Sequence, residues 1–360
     1  MDKRIICRLE RWMEGEIAPP LRVEIWPTYR CNLQCRFCRD SESKFPVETA
    51  KNHLPKVLKA CGKFGVEECF IGGGGEPLVE KRLTFQLMTM AKDMKMWGFL
   101  NTNGTLFEEK DVKKIVEMGW DEIAFSLHGI GDVHDRLVSV KYSFEKVAKT
   151  INLFRKIKRH TNSDIPKIDL WFVITRENYF QIPEILRFAH ENECNNLFFF
   201  SVREEVKGAR ELKMGEKEIQ ELKEIVEEMK EFVKEYGIHT NLEKFSQEEC
   251  VKHSDEINRI LLSRVEEKND FLNIPCYEPW YYMTITPDGK IGPCAALTHL
   301  SPLRIENVEI EEAWKSEFFQ KIREKLLRHE ISDICKKCCI DKAFESERIR
   351  EELRKVMWSG

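Results

Sequence analysis

No stretch of this 360-residue chain is apolar for long enough to cross a membrane, which takes about 20 residues. The first residues lack the apolar core of a secretion signal: Ile5 and Ile6 are the only apolar pair between Lys3-Arg4 and Arg8. Charge of one sign is not in excess either. Lys and Arg number 58 against 62 Asp and Glu, a net charge of −4 that predicts no nucleic-acid or membrane partner. These absences lead to the expectation of a cytoplasmic protein. In that setting the 13 cysteines point to metal ligation or free thiols before a disulfide framework.

The cysteines that matter most are Cys31, Cys35 and Cys38, a C-x3-C-x2-C loop following the apolar run at 23–26. Thiolates are soft ligands suited to iron–sulfur clusters, and three of them leave one iron of a [4Fe–4S] cube open to an exchangeable partner. The competing assignment is a zinc site joining Cys35-x2-Cys38 to the distant Cys335-x2-Cys338.

Helical and strand patterns then alternate. Strands are expected at 23–26, 68–71, 98–100, 122–127, 168–175 and 196–201, with helices at 47–63, 79–96, 108–118, 143–160 and 180–192 between them. Six such repeats predict an α/β fold, a parallel sheet closed or partly closed as a (β/α)6 TIM-type barrel. Chemistry in such barrels sits at the C-terminal strand ends. Polar clusters fall there: Gly72 to Glu76 with Pro77, then Asn101-Thr102-Asn103-Gly104, then Ser126. The glycine run lacks the Lys-Ser/Thr ending of a phosphate loop. Its glycines would let a bulky cofactor approach the backbone, and Glu76 beside them suits a ligand carrying an amino group. Arg203 and Glu205, after the sixth strand, are candidates to face substrate.

The domain limits expected are an N-terminal helix at 1–20, the barrel at 21–210, a helical connector at 211–270 (helices at 216–236 and 254–266), a Cys-rich domain at 271–345 and a terminal helix at 346–360. In the fourth segment Cys276 and Cys294 flank a hairpin turned at Pro287-Asp288-Gly289, and Cys335 and Cys338 follow. Four thiolates can close a cluster fully, though zinc accepts the same set. Cys7, Cys61, Cys69, Cys194 and Cys250 stand alone and are expected to be small buried hydrophobes.

The loop of Cys31, Cys35 and Cys38, with Phe37 before the third cysteine, resembles the signature of radical S-adenosylmethionine (radical SAM) enzymes. The C-terminal cysteines resemble the twitch form of the SPASM extension. The resemblance implies a first [4Fe–4S] cluster on those three cysteines and S-adenosylmethionine chelating its open iron. Gly74, Gly75, Glu76 and Pro77 match the family's G-G-E-P motif, and Asn103 and Ser126 match further positions lining the cofactor. The usual Arg-Gly pair is replaced by Val138-Ser139, which leaves Arg136 or Lys141 as the substitute carboxylate contact. One auxiliary [4Fe–4S] cluster is implied on Cys276, Cys294, Cys335 and Cys338, with no cysteine beyond Cys339 to hold another. The expected activity is hydrogen-atom abstraction leading to oxidation of a small hydroxylated or carbohydrate-type substrate, with ferredoxin or flavodoxin as electron donor. Two alternatives are a peptide-modifying maturase and a non-catalytic two-cluster electron carrier.

Overall fold

The computed structural model describes residues 2–38, 51–202, 208–246, 271–336, 338 and 340–358. In chain order these form α1 (Lys3–Met13), β1 (Arg22–Ile25), α2 (Leu54–Phe64), β2 (Glu68–Ile71), α3 (Lys81–Asp93), β3 (Trp97–Thr102), α4 (Glu109–Glu117), β4 (Glu122–Ser126), α5 (Asp132–Val138), α6 (Ser143–Thr161), β5 (Lys167–Ile174), α7 (Ile182–Glu191) and β6 (Asn196–Ser201). Then follow α8 (Glu216–Glu235), β7 (His239–Thr240), α9 (Glu278–Tyr281), β8 (Tyr282–Ile285), β9 (Ile291–Gly292), α10 (Ile310–Lys315), α11 (Glu317–Leu327), α12 (Asp333–Lys336) and α13 (Ile340–Trp358). The expected α/β fold is present. The helix expected at 254–266 and the candidates Arg203 and Glu205 lie outside the described residues.

Local chemistry sets several element ends. Gly65 ends α2 in the left-handed conformation, its N–H reaching the Cys61 and Gly62 carbonyls. At the start of α4 the Asp111 carboxylate accepts from the Glu108 N–H at 2.9 Å.

All described strands lie in one sheet of order β7-β6-β5-β4-β3-β2-β1-β8-β9. Every neighbouring pair is parallel except the β8–β9 hairpin. The hairpin turn at Pro287-Asp288-Gly289 is as expected. The parallel docking of β8 on β1 is not, and it makes the cysteine-rich segment continue the barrel's own sheet. Strand β7 likewise adds a seventh parallel strand after α8.

Burial along the strands is two-sided and unequal. Residues facing the helices, such as Val23, Ile25, Ile71, Leu100, Ile123, Leu170 and Leu197, are fully buried and form the main core. Alternate residues on the opposite face, including Glu24, Phe70, Asn101, Ser126, Trp171, Val173, Phe198 and Phe200, are only half-buried. A fully packed barrel fills that interior with side chains; here the curved sheet encloses a lumen open to solvent. A second core joins α1 (Ile5, Ile6, Leu9) to Tyr277, Trp280, Tyr281, Leu326 and, from α13, Ile349 and Leu353. Cys61 and Cys69 are buried as expected, whereas Cys7 is exposed on the outer face of α1.

Candidate active site

The cysteine loop leaves β1 at the C-terminal edge of the sheet and is tied down by its neighbours. Gln34 N–H and Arg36 N–H donate to the Val138 and Leu137 carbonyls at the end of α5, at 3.1 and 3.0 Å. Helix α5 was not foreseen in the sequence, and its free C-terminal carbonyls are the partners this loop uses. The Arg36 guanidinium reaches both Glu177 oxygens at 2.8 and 2.9 Å. Phe37 stands edge-on against His128 with centroids 4.7 Å apart. His128 Nδ1 accepts from Val173 N–H and His134 Nδ1 accepts from His128 N–H, each at 3.1 Å. Burial pushes both imidazoles down, His134 to about 4, so they are neutral packing groups at physiological pH.

Cys31 is exposed, and Cys35 and Cys38 are half-buried. Burial and the neighbouring thiols raise the Cys35 thiol, and burial raises that of Cys31. Leu33 N–H points at Cys31 Sγ at 3.4 Å, and Asn103 Nδ2 lies 3.9 Å from the same sulfur. Asn103 is buried beside this loop: it donates to Asn32 Oδ1 at 2.9 Å and accepts from Thr105 N–H and Oγ1.

On the side where a Cβ would stand, the glycine run meets protein. A Cβ at Gly75 would lie 2.2 Å from the Arg30 carbonyl oxygen, and one at Gly73 would lie 2.1 Å from Trp26 Nε1. At Gly74 it would meet Trp26, Tyr29 and Thr28. The glycines therefore let the end of β2 close against 26–30, the segment that carries the chain into the cysteine loop. Glu76 also has an inward duty. Its buried carboxylate accepts from Asn103 N–H (2.7 Å), Thr102 Oγ1 (2.7 Å) and Leu78 N–H (3.1 Å), fastening β2 to β3. Pro77 opens a short 3-10 turn behind it. Ser126 is half-buried at the end of β4, on the lumen face, and Arg136 is exposed on α5.

A second thiol group forms around the hairpin. Burial raises the thiols of Cys276 and Cys294; Glu278 and Cys335 add to both, and Cys294 adds to that of Cys276. Leu297 N–H donates to Cys294 Sγ at 3.4 Å, while Ser332 Oγ bonds Cys335 Sγ at 3.2 Å. Cys338 follows, its N–H on the Cys335 carbonyl. Cys335 thus groups with Cys276 and Cys294 and not with Cys35, contrary to the zinc alternative. Among the described residues no three His, Cys, Asp or Glu side chains converge as a cage for a single metal ion. Both groups offer only soft sulfur, with backbone N–H already aimed at Cys31 and Cys294. This donor chemistry fits iron–sulfur clusters, three ligands at the first site and four at the second.

Sequence reasoning missed the other feature of this region. Glu24, in the middle of β1, projects into the lumen, where Thr284 Oγ1 donates to it at 3.1 Å. Near the strand end, Tyr29 OH donates to Asp288 Oδ1 at 2.6 Å and joins the cysteine loop to the hairpin turn. The period of two along β1 held the signal for Glu24, a charged residue between the apolar Val23 and Ile25.

Two family profiles match, "Radical SAM superfamily" over residues 25–189 and "Iron-sulfur cluster-binding domain", the SPASM type, over 276–339. The chain is similar to a pre-heme d1 synthase of Dinoroseobacter shibae, 30% identical over 182 residues covering 50% of this chain and 43% of that protein. It is also similar to a PqqA peptide cyclase of Bradyrhizobium diazoefficiens, 23% identical over 84% of this chain and 75% of the relative. The chain matches a little under half the length of the first three curated relatives. The crystal structure of Streptococcus suis SuiB bound to S-adenosylmethionine superimposes with a TM-score of 0.65 at 18% identity, covering 91% of this chain and 74% of that one, which shows a shared fold.

Proposed function

Because this chain belongs to the radical SAM superfamily and carries a SPASM-type iron–sulfur domain, we propose that it is an enzyme abstracting a hydrogen atom from a substrate held in the open lumen. The cofactors are a [4Fe–4S] cluster, S-adenosylmethionine and an auxiliary iron–sulfur cluster. When bound, they supply reductive cleavage of S-adenosylmethionine to a 5′-deoxyadenosyl radical and an acceptor for one electron. The observation that carries the reading is the C-x3-C-x2-C loop held at the C-terminal edge of β1 by the β2 glycines and by α5.

The chain's own residues have separable duties. Cys31, Cys35 and Cys38 hold the first cluster. Gly74, Gly75, Glu76 and Pro77 fix that loop and shape the cofactor's side of the lumen, with Asn103 and Ser126 at the next strand ends. Exposed on α5, Arg136 is a candidate for the cofactor's carboxylate, as is exposed Lys141 just after that helix. Cys276, Cys294, Cys335 and Cys338 hold the auxiliary cluster. The parallel β1–β8 pairing puts the auxiliary domain against the lumen wall, which suits net oxidation of the substrate, an oxidoreductase outcome. A ferredoxin- or flavodoxin-type donor would supply the low-potential electron.

We read the substrate as a small hydroxylated molecule. A peptide substrate is the second reading, supported by the alignment with the PqqA peptide cyclase along 84% of this chain. The test is iron and 5′-deoxyadenosine measured together after anaerobic reconstitution. About eight irons per chain should fall to about four in C31A/C35A/C38A, with 5′-deoxyadenosine formation abolished. C276A/C294A should lose the other four and still cleave S-adenosylmethionine. Cleavage surviving the first triple variant would sink the proposal.

A further inference from the structure

The auxiliary cysteine group has a charged neighbour that ligation does not explain. Glu278 stands two residues past Cys276, where it opens α9, and is 7% exposed. Its backbone N–H donates to the Cys276 sulfur, which fixes the residue beside that ligand. After burial itself, the Glu278 carboxylate is the largest cause raising the Cys276 thiol, and the largest raising that of Cys294. One charge is therefore felt by two of the four ligands.

Helix α13 keeps this carboxylate in place. Lys342 reaches Glu278 at 2.6 Å and Glu345 at 3.0 Å, so one ammonium answers two carboxylates. Glu345 also accepts from the Tyr281 hydroxyl. The helix begins two residues after Cys338 and is pinned back to the segment that enters Cys276. Arg350 donates to the Ile274 carbonyl and Arg354 to Asn273 Oδ1, each at 2.8 Å. Arg350 also brings a cation toward Cys276, so the carboxylate does not act unopposed. Fastening α13 to α9 needs an ion pair somewhere along their contact. It does not need the carboxylate to lie against the ligand sulfurs, where a negative charge beside thiolates is unfavourable. The same placement acts directly on a cluster: reduction adds a negative charge, and nearby charge is one of the levers on its potential.

We propose that Glu278 is a potential-setting residue whose carboxylate makes the auxiliary cluster harder to reduce. The cluster then stays oxidised, able to accept an electron, while the low-potential donor reduces the first cluster. Lys342 is the positioning residue that holds the carboxylate at the ligands and limits its effect. The assignment rests on the reading that Cys276, Cys294, Cys335 and Cys338 hold an electron-accepting cluster.

The test uses the full-length chain as C31A/C35A/C38A, reconstituted anaerobically, so that only the auxiliary cluster is read. The midpoint of this parent is measured by redox potentiometry followed by electron paramagnetic resonance. E278Q keeps the shape and removes the charge. It should favour reduction by ~10-fold, an upward shift of ~59 mV for one electron, with about four irons retained. E278D keeps the charge and should stay closer to the parent. E278Q/K342M removes one charge of each sign and should bring the midpoint back toward the parent. Glu352 pairs with Lys355 on the exposed side of α13, ~15 Å further along the helix, so E352Q should leave the midpoint unchanged. An E278Q midpoint matching the parent, an equal shift in E352Q, or loss of the four irons from E278Q would overturn the proposal, the last by making Glu278 a structural residue only. A midpoint in E278Q/K342M no different from that of E278Q would overturn the part given to Lys342. Absence of iron from the parent would remove the cluster assignment and the proposal together, whereas an unmoved midpoint overturns the proposal alone.

Discussion

Two residues beside the cysteine loop show how little tolerance the site has. Gly75 is closed in by backbone, with the Arg30 carbonyl oxygen 2.2 Å and the Tyr29 carbonyl carbon 2.6 Å from where a Cβ would stand. Neither can swing away as a side-chain tip could. G75A should therefore displace the loop's entry and reduce bound iron by about four per chain, leaving the auxiliary share in place; iron assay of the reconstituted variant, with and without C276A/C294A, checks this. Glu76 acts by hydrogen bonding. In E76Q one of the oxygens that meet three donors becomes an NH2 facing a donor, so the variant should lose about 1–3 kcal/mol in chemical denaturation. E76D, with a shorter reach, should fall between the two. If E76Q matched wild type in stability while losing S-adenosylmethionine binding, the carboxylate would be a cofactor ligand and not a fastener.

At the scale of elements, α13 shows how the C-terminal segment is locked to the barrel. Lys342 on α13 bonds Glu278 of α9 at 2.6 Å and Glu345 at 3.0 Å, and its ammonium lies 5.6 Å from the Tyr282 ring centre. K342M would remove the cation that meets both carboxylates, in a site where Glu278 is 7% exposed. Breaking such a pair costs about 3–5 kcal/mol, which a lowered denaturant midpoint at unchanged slope would record. What was legible beforehand divides along the same lines. The six βα repeats could be read because apolar runs such as Leu170 to Ile174 and Leu197 to Phe199 are separated by amphipathic helices and turn residues. The cysteine spacings could be read because ligands close in sequence must be close in space. The β1–β8 pairing could not, because a four-residue strand such as Tyr-Met-Thr-Ile carries no record of which edge it will join. Short α5 was hidden likewise: its seven residues hold Asp, His and Arg, and its purpose is the two carbonyls it offers to Gln34 and Arg36. The contact of the glycines with 26–30 was hidden for a related reason, since a sequence shows that close approach is possible without showing every group that approaches.

For the molecule as a whole, two buried groups of opposite tendency shape stability against pH. Asp169 is 1% exposed at the N-terminal end of the sheet, held by Asn196 Nδ2 at 2.6 Å, and burial together with neighbouring Glu122 raises it well above the carboxylate's ordinary 3.8. The folded chain keeps that proton after the unfolded chain has released it. Stability from Asp169 is therefore complete below about pH 4 and is lost as pH rises toward the folded value. His128 and His134 act in the reverse sense. Burial lowers them from an ordinary 6.5, His134 to about 4, so the unfolded chain takes protons first and stability falls as pH drops below 6.5. Above pH 6.5 the imidazoles are neutral in both states, and of these groups only Asp169 contributes a slope, at most about 1.4 kcal/mol per pH unit for one proton. Between pH 4 and 6.5 the two effects oppose each other and partly cancel. D169N, which keeps the volume and removes the ionisation, should flatten the decline between pH 7 and 9. It should also steepen the loss below pH 6.5, because the histidine effect is no longer masked. Urea midpoints of wild type and D169N at pH 5, 6, 7, 8 and 9 would show the two curves diverging on both sides. Parallel curves would mean that Asp169 ionises in the folded chain much as it does in the unfolded one, and the shared proton at the base of the sheet would have to be given up.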